Sequence, residues 1–492
     1  MNHLKLFTVA IAFVLCVQSF AQTNVFLNRE FWTPNTTIAQ VDEKIKEGND
    51  ISELNSNSFD AVVFAINQDA PNETIKYIMS KDGNDVNKLT HDGRTYIFWA
   101  AAKGNVEIME YVLSKGAKTD IIENHGNTIL NFAAVGGQKN TKVYDLCLAN
   151  GANLKKDLNP DGANALLLIA PHDTNFTLIN YFTSKGLDIN SVDANGNGIF
   201  NYVAKTGNID LLKQLLAKDI KGNDQAFMFA AYGPRGKANS LEVYKYLESI
   251  GLNPNTKTKD GMTPLQVLAS RNKDFSVINY FIEKGVDVNA VDTNGNTAFL
   301  NASNSNSLEV IKHLTSRNRN INLQNKKGES ALMLAVKSNN PEVVSYLIDA
   351  KANTQITDKE GNNLAYYLVS GFNAKDKGNF EKKAQILKAN QIDFLTLQAG
   401  KNTLYHVAID KLDLDLFKAL EAYNIDINAV NADGISVLHM AAMKAKDDVI
   451  LKYLIAKGAN KKVLTGFDES VYDLASENEL LEANNVDINF LK

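Results

Sequence analysis

Cysteine is almost absent. Only Cys16 and Cys147 occur in 492 residues, and the first falls in an N-terminal stretch that reads as removable. With Cys147 alone in the remaining chain, no intrachain disulfide can form, so stability must come from packing. Concentrated positive charge is also missing: the formal charge is −5, with no basic block set against it. Binding a phosphate backbone needs a clustered positive surface, so nucleic acid is a poor candidate partner. A third absence is a long apolar run. Residues 6–17 are apolar, but a membrane span wants roughly 18 or more such residues, so no membrane-spanning helix is expected.

That short run fits another purpose. The opening MNHLKLFTVAIAFVLCVQSFAQ has a basic residue at Lys5, then the apolar segment, then small residues at Ser19 and Ala21. These are the three regions of a cleavable export signal over residues 1–21, cut after Ala21. Leu15 precedes Cys16 where lipoprotein signals resemble one another in carrying a small residue, which argues against lipid attachment. The mature chain is expected free in the periplasm or secreted.

Familiar chemical motifs are missing as well. There is no HExxH, no GxSxG and no complete phosphate loop; the Gly400-Lys401 pair lacks the earlier glycine that would cradle a phosphate. No two histidines have the close spacing of a zinc site. The string VDANGNG at residues 192–198 spaces Asp193, Asn195 and Asn197 like the first half of a calcium loop, and VDTNGNT at residues 291–297 nearly repeats it. Such a loop needs a bidentate acid at its twelfth position, where this chain has Ala204 and Ser303. A carboxylate that bonds the backbone amides of its own turn accounts for both strings. Cys147 sits beside Leu146 and Leu148 on an apolar helix face, the place of a core cysteine. No enzyme activity, cofactor or metal is therefore expected.

What the chain has is a period. A glycine followed two residues later by Thr or Ser recurs at Gly93, Gly126, Gly261, Gly295, Gly328 and Gly434; Gly93 to Gly126 and Gly295 to Gly328 span 33 residues and Gly261 to Gly295 spans 34, the range of stacked repeats. Each period holds an alanine-rich helical stretch such as TYIFWAAAKGN, then an amphipathic one such as VEIMEYVLSKGA, with Val106, Met109, Val112 and Leu113 at helical spacing. Gly116 stops the second helix, as do Gly151, Gly186, Gly251, Gly285 and Gly458 in other periods. An extended signature follows, LDIN, VDVN or IDIN, leading into the next turn.

These residues resemble the ankyrin repeat, D-x-x-G-x-T-P-L-H-x-A-A followed by L-L-x-x-G-A-D-V-N. TKDGMTPLQVLA, VDTNGNTAFLNA, NADGISVLHMAA and IEKGVDVN are close matches. The resemblance implies an all-α solenoid of helix-turn-helix units with a projecting hairpin or turn, in about twelve units including degenerate ends. It places N-terminal capping units at residues 22–84, the array at 85–460 and a C-terminal capping unit at 461–492. The turn is shortened near residues 219–240 and a unit is stretched near 369–390, so a bend or a division into two stacks is expected at either. By the same resemblance His406 and His439 are structural hydrogen-bonding residues between units.

It also implies a function, which is binding a protein partner along the concave face and hairpin tips, as a monomer. Inner-helix positions expected to face that side include the aromatic residues Trp99, Phe132 and Tyr202, taken as anchors because aromatics dominate binding hot spots. A polar rim is expected from Arg94, His125, Asn195, Asn197, Lys259, Asn294, Asn296, Lys326 and Lys327. An accessory, chaperone-like or inhibitory subunit of one exported enzyme is a special case. The rival reading, an enzyme with its site in residues 231–240 or 369–385, lacks a converging set of acid, base or ligand residues.

Overall fold

Each unit begins where a hydroxyl meets the start of a helix. Thr263 accepts the Gln266 backbone N–H through its side chain, and the Gln266 side-chain Oε1 accepts the Thr263 N–H, closing a capping box at the helix Pro264–Arg271. Thr403 with His406 and Ser436 with His439 repeat it, satisfying amides that no helical carbonyl reaches. The first helix of a unit is short and apolar nearly all round; Leu265, Val267, Leu268 and Ala269 are all buried. The second is amphipathic: Phe275–Glu283 buries Val277, Ile278 and Phe281 while exposing Ser276 and Glu283. It ends before Gly285, whose φ of +80° only glycine adopts without strain.

The computed structural model describes residues 24–318 and 320–492. The expected export segment, with Cys16 and the cut after Ala21, lies outside the described residues. Among the described residues there are 27 α-helices and no strand, only isolated bridges at the hairpin turns. The fold is all-α. No helix among them is long and apolar enough to cross a membrane.

The chain forms two compact units, one ending at Tyr202 and the other beginning at Val203. In the first, the helices Ala61–Asn67, Tyr96–Lys103, Ile129–Val135 and Ala165–Ile169 pack in succession. In the second, Pro264–Arg271, Ala298–Ser305, Ala331–Ser338 and Leu364–Ser370 do the same. Stacking gives these helices the burial on both faces that one repeat cannot supply alone. The shortened turn leaves Ala226–Tyr232 without a side-chain cap. The extra residues after Ser370 fold as Ala374–Asp376 and the 13-residue helix Lys377–Ala389.

Side-chain amides and imidazoles tie each unit to its neighbour. Gln266 Nε2 donates forward to the Ala290 and Asn296 carbonyls at 3.1 and 2.7 Å. His406 and His439, 2% and 0% exposed, donate from Nε2 to the Ile435 and Val463 carbonyls at 3.0 Å each. At the far end of the first helix, Asn306 Nδ2 donates back to the Ala269 and Asn272 carbonyls, and Asn339 Nδ2 to those of Ser303 and Asn306. Asn478 makes the same pair of bonds to Ala442 and Ala445.

Two predictions follow from these ties. Replacing Asn339 with Ala leaves two buried carbonyls unpaired and is expected to lower the unfolding free energy by about 2 to 4 kcal/mol in urea. Asn272, whose Nδ2 is buried without an acceptor, is the control, since its change to Ala should cost about 1 kcal/mol or less. Equal losses would contradict the tie. Burial holds the His406 and His439 imidazoles below the usual histidine pKa, although each carbonyl bond opposes that shift. A depressed folded pKa gives stability that is full above the unfolded value and lost as pH falls below it. Melting temperature should therefore drop between about pH 6.5 and pH 5, more steeply than in the His406→Gln/His439→Gln variant; equal slopes would remove the histidines from the explanation.

Candidate functional site

The hairpin tips form a row of five-residue turns, several of them built around the first side chain. Asp193 Oδ1 accepts the N–H groups of Asn195 and Asn197 at 2.8 and 2.9 Å, and Asn197 Nδ2 reaches both carboxylate oxygens. Asp292, Asn325, Asp358 and Asn431 hold their turns in the same way. The carboxylate of VDANGNG thus serves its own turn. Among the described residues no group of three His, Cys, Asp or Glu side chains is placed to hold a metal ion.

Successive tips are joined by backbone. The second residue of a turn donates its N–H to the carbonyl of the third residue of the turn before: Asn124 to Asp92, Ala194 to Asp161, Thr293 to Asp260, Lys326 to Asn294, Lys359 to Lys327 and Ala432 to Gly400, at 2.7 to 3.1 Å. The glycine in fourth place makes room. At Gly328, with φ of +83°, an added Cβ would lie 2.5 Å from the Lys359 nitrogen.

The expectation of accessible aromatic anchors is corrected for two of the three. Trp99 and Tyr202 are each 8% exposed, because the residue nine places after the start of the turn reaches back to that first residue. Trp99 Nε1 donates to Thr90 Oγ1 at 2.9 Å, Tyr202 Oη to Asp193 Oδ2 at 3.1 Å, and Tyr367 Oη to Asp358 Oδ2 at 2.9 Å. The aromatic ring braces its own hairpin and presents little surface to a partner. Phe132 is half-buried.

Four of the singled-out residues do meet. Arg94 lies with its guanidinium 5.3 Å from the Trp99 ring centroid and 4.5 Å from that of Phe132. It pairs with Glu123 at 2.7 Å and Asp92 at 3.1 Å, and His125 Nε2 joins the same Asp92 oxygen at 3.1 Å. Burial of Glu123 disfavours its charge, but bonds from the Asn127 side chain and backbone and from Arg94 outweigh it and hold its pKa low. Arg94 is buried rather than part of an outer rim, so this is an internal brace with His125 exposed at its edge.

Of the remaining tip residues, Asn195, Lys259, Asn294, Lys326 and Lys327 are exposed. Asn197 is buried against Asp193, and half-buried Asn296 accepts a bond from Asn325 Nδ2 of the next turn at 3.1 Å. Neither of these two is free to serve as rim. In the second compact unit, Lys259, Asn294, Lys326 and Lys327 lie on consecutive tips joined by the backbone bonds.

A further set escaped the sequence reading. An exposed aliphatic residue stands just before many of the turns, Leu89, Ile122, Leu158 and Val192 in the first unit and Val291, Leu397, Val430 and Leu464 in the second, all between 43% and 63% exposed, while Lys257, Gln324 and Thr357 hold that place in the second unit's other turns. The chain is extended here, with bridges from Val192 to Gly198 and Val430 to Ser436. Alternation therefore turns this side chain outward when the first turn residue points in. Recurrence of an aliphatic residue at one register of the repeat was the available signal.

Comparison with known proteins agrees with the repeat geometry. The family model for ankyrin repeats matches residues 62–156, 227–325 and 299–376. A fowlpox virus ankyrin repeat protein, FPV230, is 26% identical over 186 residues, which cover 36% of this chain and 93% of that protein. A second, FPV115, is 26% identical over 40% of each chain. Human transient receptor potential cation channel subfamily A member 1 is 26% identical over 47% of this chain and 18% of its own length. The solved human ASB11 ankyrin repeat domain is similar over 46% of this chain and 97% of its own, at 21% identity and a TM-score of 0.38. Ankyrin repeats generally mediate protein–protein interaction, and this chain is an ankyrin-repeat protein.

Proposed function

We propose that the chain is an exported, non-catalytic scaffold that binds a protein partner along its hairpin edge. The observation that carries this reading is the outward aliphatic residue at the same register of successive turns, Leu89, Ile122, Leu158 and Val192 in the first unit. Exposed leucines scattered singly need no explanation, but a line of aliphatic residues repeated over successive turns is the apolar core of an interface with polar residues on either side. In the first unit the exposed tip side chains of His125 and Asn195 supply that polar rim, and the second unit carries its own exposed tips at Lys259, Asn294, Lys326 and Lys327. Export rests on Lys5, the apolar residues 6–17 and Ala21.

Because these aliphatic side chains already face water, changing them should cost the fold no more than about 0.5 kcal/mol each. The variant Leu89→Ser/Ile122→Ser/Val192→Ser is expected to keep the wild-type melting temperature while losing at least about tenfold in partner affinity. Affinity capture from a cell-envelope extract with both proteins, quantified by mass spectrometry, identifies the partner. A binding titration then measures the difference. Equal capture by both proteins would overturn the edge reading. N-terminal sequencing of the exported product should begin at Gln22, and a start at Met1 in that fraction would count against cleavage.

A further inference from the structure

The tie between successive first helices is not made at every step of the second compact unit: Asn272 Nδ2 has no acceptor among the described residues, and Phe372 and Ala445 have no amide to donate. Asn306 and Asn339 donate to the two carbonyls at the end of the preceding helix, and the residue next in that register is Phe372, which cannot. The Val336 carbonyl, next in the series after Ser303, is taken instead by Lys383 Nζ at 2.6 Å. Lys383 comes from the inserted helix Lys377–Ala389 and is 7% exposed. A cationic ammonium thus stands where neighbouring units place a neutral amide.

Lys383 lines a cavity of about 340 Å³ whose walls include Lys337, Lys411, Asn373, Asn379 and Asp376. A volume of that size holds on the order of ten waters. Gly371 forms part of the wall, and a Cβ there would run into the Lys337 carbonyl, so the backbone itself holds the wall in place. Three lysines and one aspartate are among the residues that line this space. Lys383 has three N–H donors and, among the described residues, one hydrogen-bond acceptor, the Val336 carbonyl. Burial without an anionic partner in contact lowers its pKa to about 8, against the smaller opposing effect of Asp376.

We propose that this cavity binds a small molecule bearing an oxyanion, phosphate or carboxylate, held by Lys383 with help from Lys337, Lys411 and the amides of Asn373 and Asn379. Oxyanions accept several charge-assisted hydrogen bonds at once, which is what an ammonium with unused donors and flanking amides offers. Such a ligand also offsets the cost of burying the Lys383 charge. The site lies away from the hairpin edge and is independent of partner binding there. Since the protonated amine is the binding form, affinity falls as pH rises through the Lys383 pKa. The other charged groups facing the cavity are Lys337, Lys411 and Asp376.

The test is calorimetric titration of the full chain with inorganic phosphate and, separately, with succinate, at about pH 7 and about pH 9.5, either side of the Lys383 pKa. Saturable binding of one of them, weakened at least about tenfold at the higher pH and in Lys383→Met, is the expected result, and the two probes tell phosphate from carboxylate chemistry. Exposed Lys411 serves as a second position: Lys411→Gln is expected to keep the wild-type circular dichroism and weaken binding several-fold. If Lys383→Met does not fold, Lys411→Gln decides. No saturable heat with either probe up to about 20 mM, an affinity too weak to matter, would overturn the proposal, as would binding that neither substitution changes.

Discussion

A buried backbone amide or carbonyl must find a partner, and in a 33-residue unit with two short helices several cannot find one locally. They find it in the next unit. The N–H of the second turn residue goes to the turn before it, as Asn124 goes to Asp92 and Lys326 to Asn294. The carbonyls that close the first helix receive an asparagine amide, as Ser303 and Asn306 receive Asn339. The capping residue three places into the first helix turns its free end forward, as Gln266 and His439 do. Most of what looks like a sequence signature is therefore a list of donors and acceptors that only a neighbour completes. The aliphatic core fills the space between helices, but these bonds set the distance and register at which it fills it.

The period and the helix pairs were legible in the sequence because they depend on positions that admit few residue types. Gly328 needs both a positive φ and room for Lys359, and Thr263 needs a hydroxyl to cap its helix. The turn role of Asp193 was legible too, since its repetition at Asp292 follows the unit spacing. The direction of the inner aromatics was not. Trp99 and Tyr202 fall on the position that faces outward in the repeat pattern, but nothing in one sequence says that Nε1 or Oη nine residues on can close a bond to the head of the turn. Arg94 misled in the same manner: an arginine at a turn reads as rim until Glu123, one repeat later, is seen to bury it. Val192 and Val291 lie inside VDANGNG and VDTNGNT, and only the fold, with the bridge from Val192 to Gly198, turns them toward water.

The exceptions to the bonding scheme differ in what they replace. Pro160 occupies the turn position that donates in its neighbours and has no N–H to give. Its ring lies against Gly126, where an added Cβ would come within 2.4 Å of Cγ, so van der Waals contact takes the place of that hydrogen bond. That exchange is neutral in chemistry and needs no ligand to explain it.

Phe372 and Lys383 make a different exchange. The apolar residue removes the amide, and the Val336 carbonyl is then satisfied by a cation carried on an inserted helix. A second asparagine would have served the carbonyl without desolvating a charge, and filling the gap with an apolar side chain would have left no cavity. The chain instead keeps a buried ammonium, an open polar space beside it and two further lysines at its wall. Stability alone favours neither feature, since burying an ion without a counter-ion is costly in every fold. Their joint presence in the stretched unit separates this site from the repeat's own ties, which Asn306, Asn339 and Asn478 make with neutral amides elsewhere in the same unit.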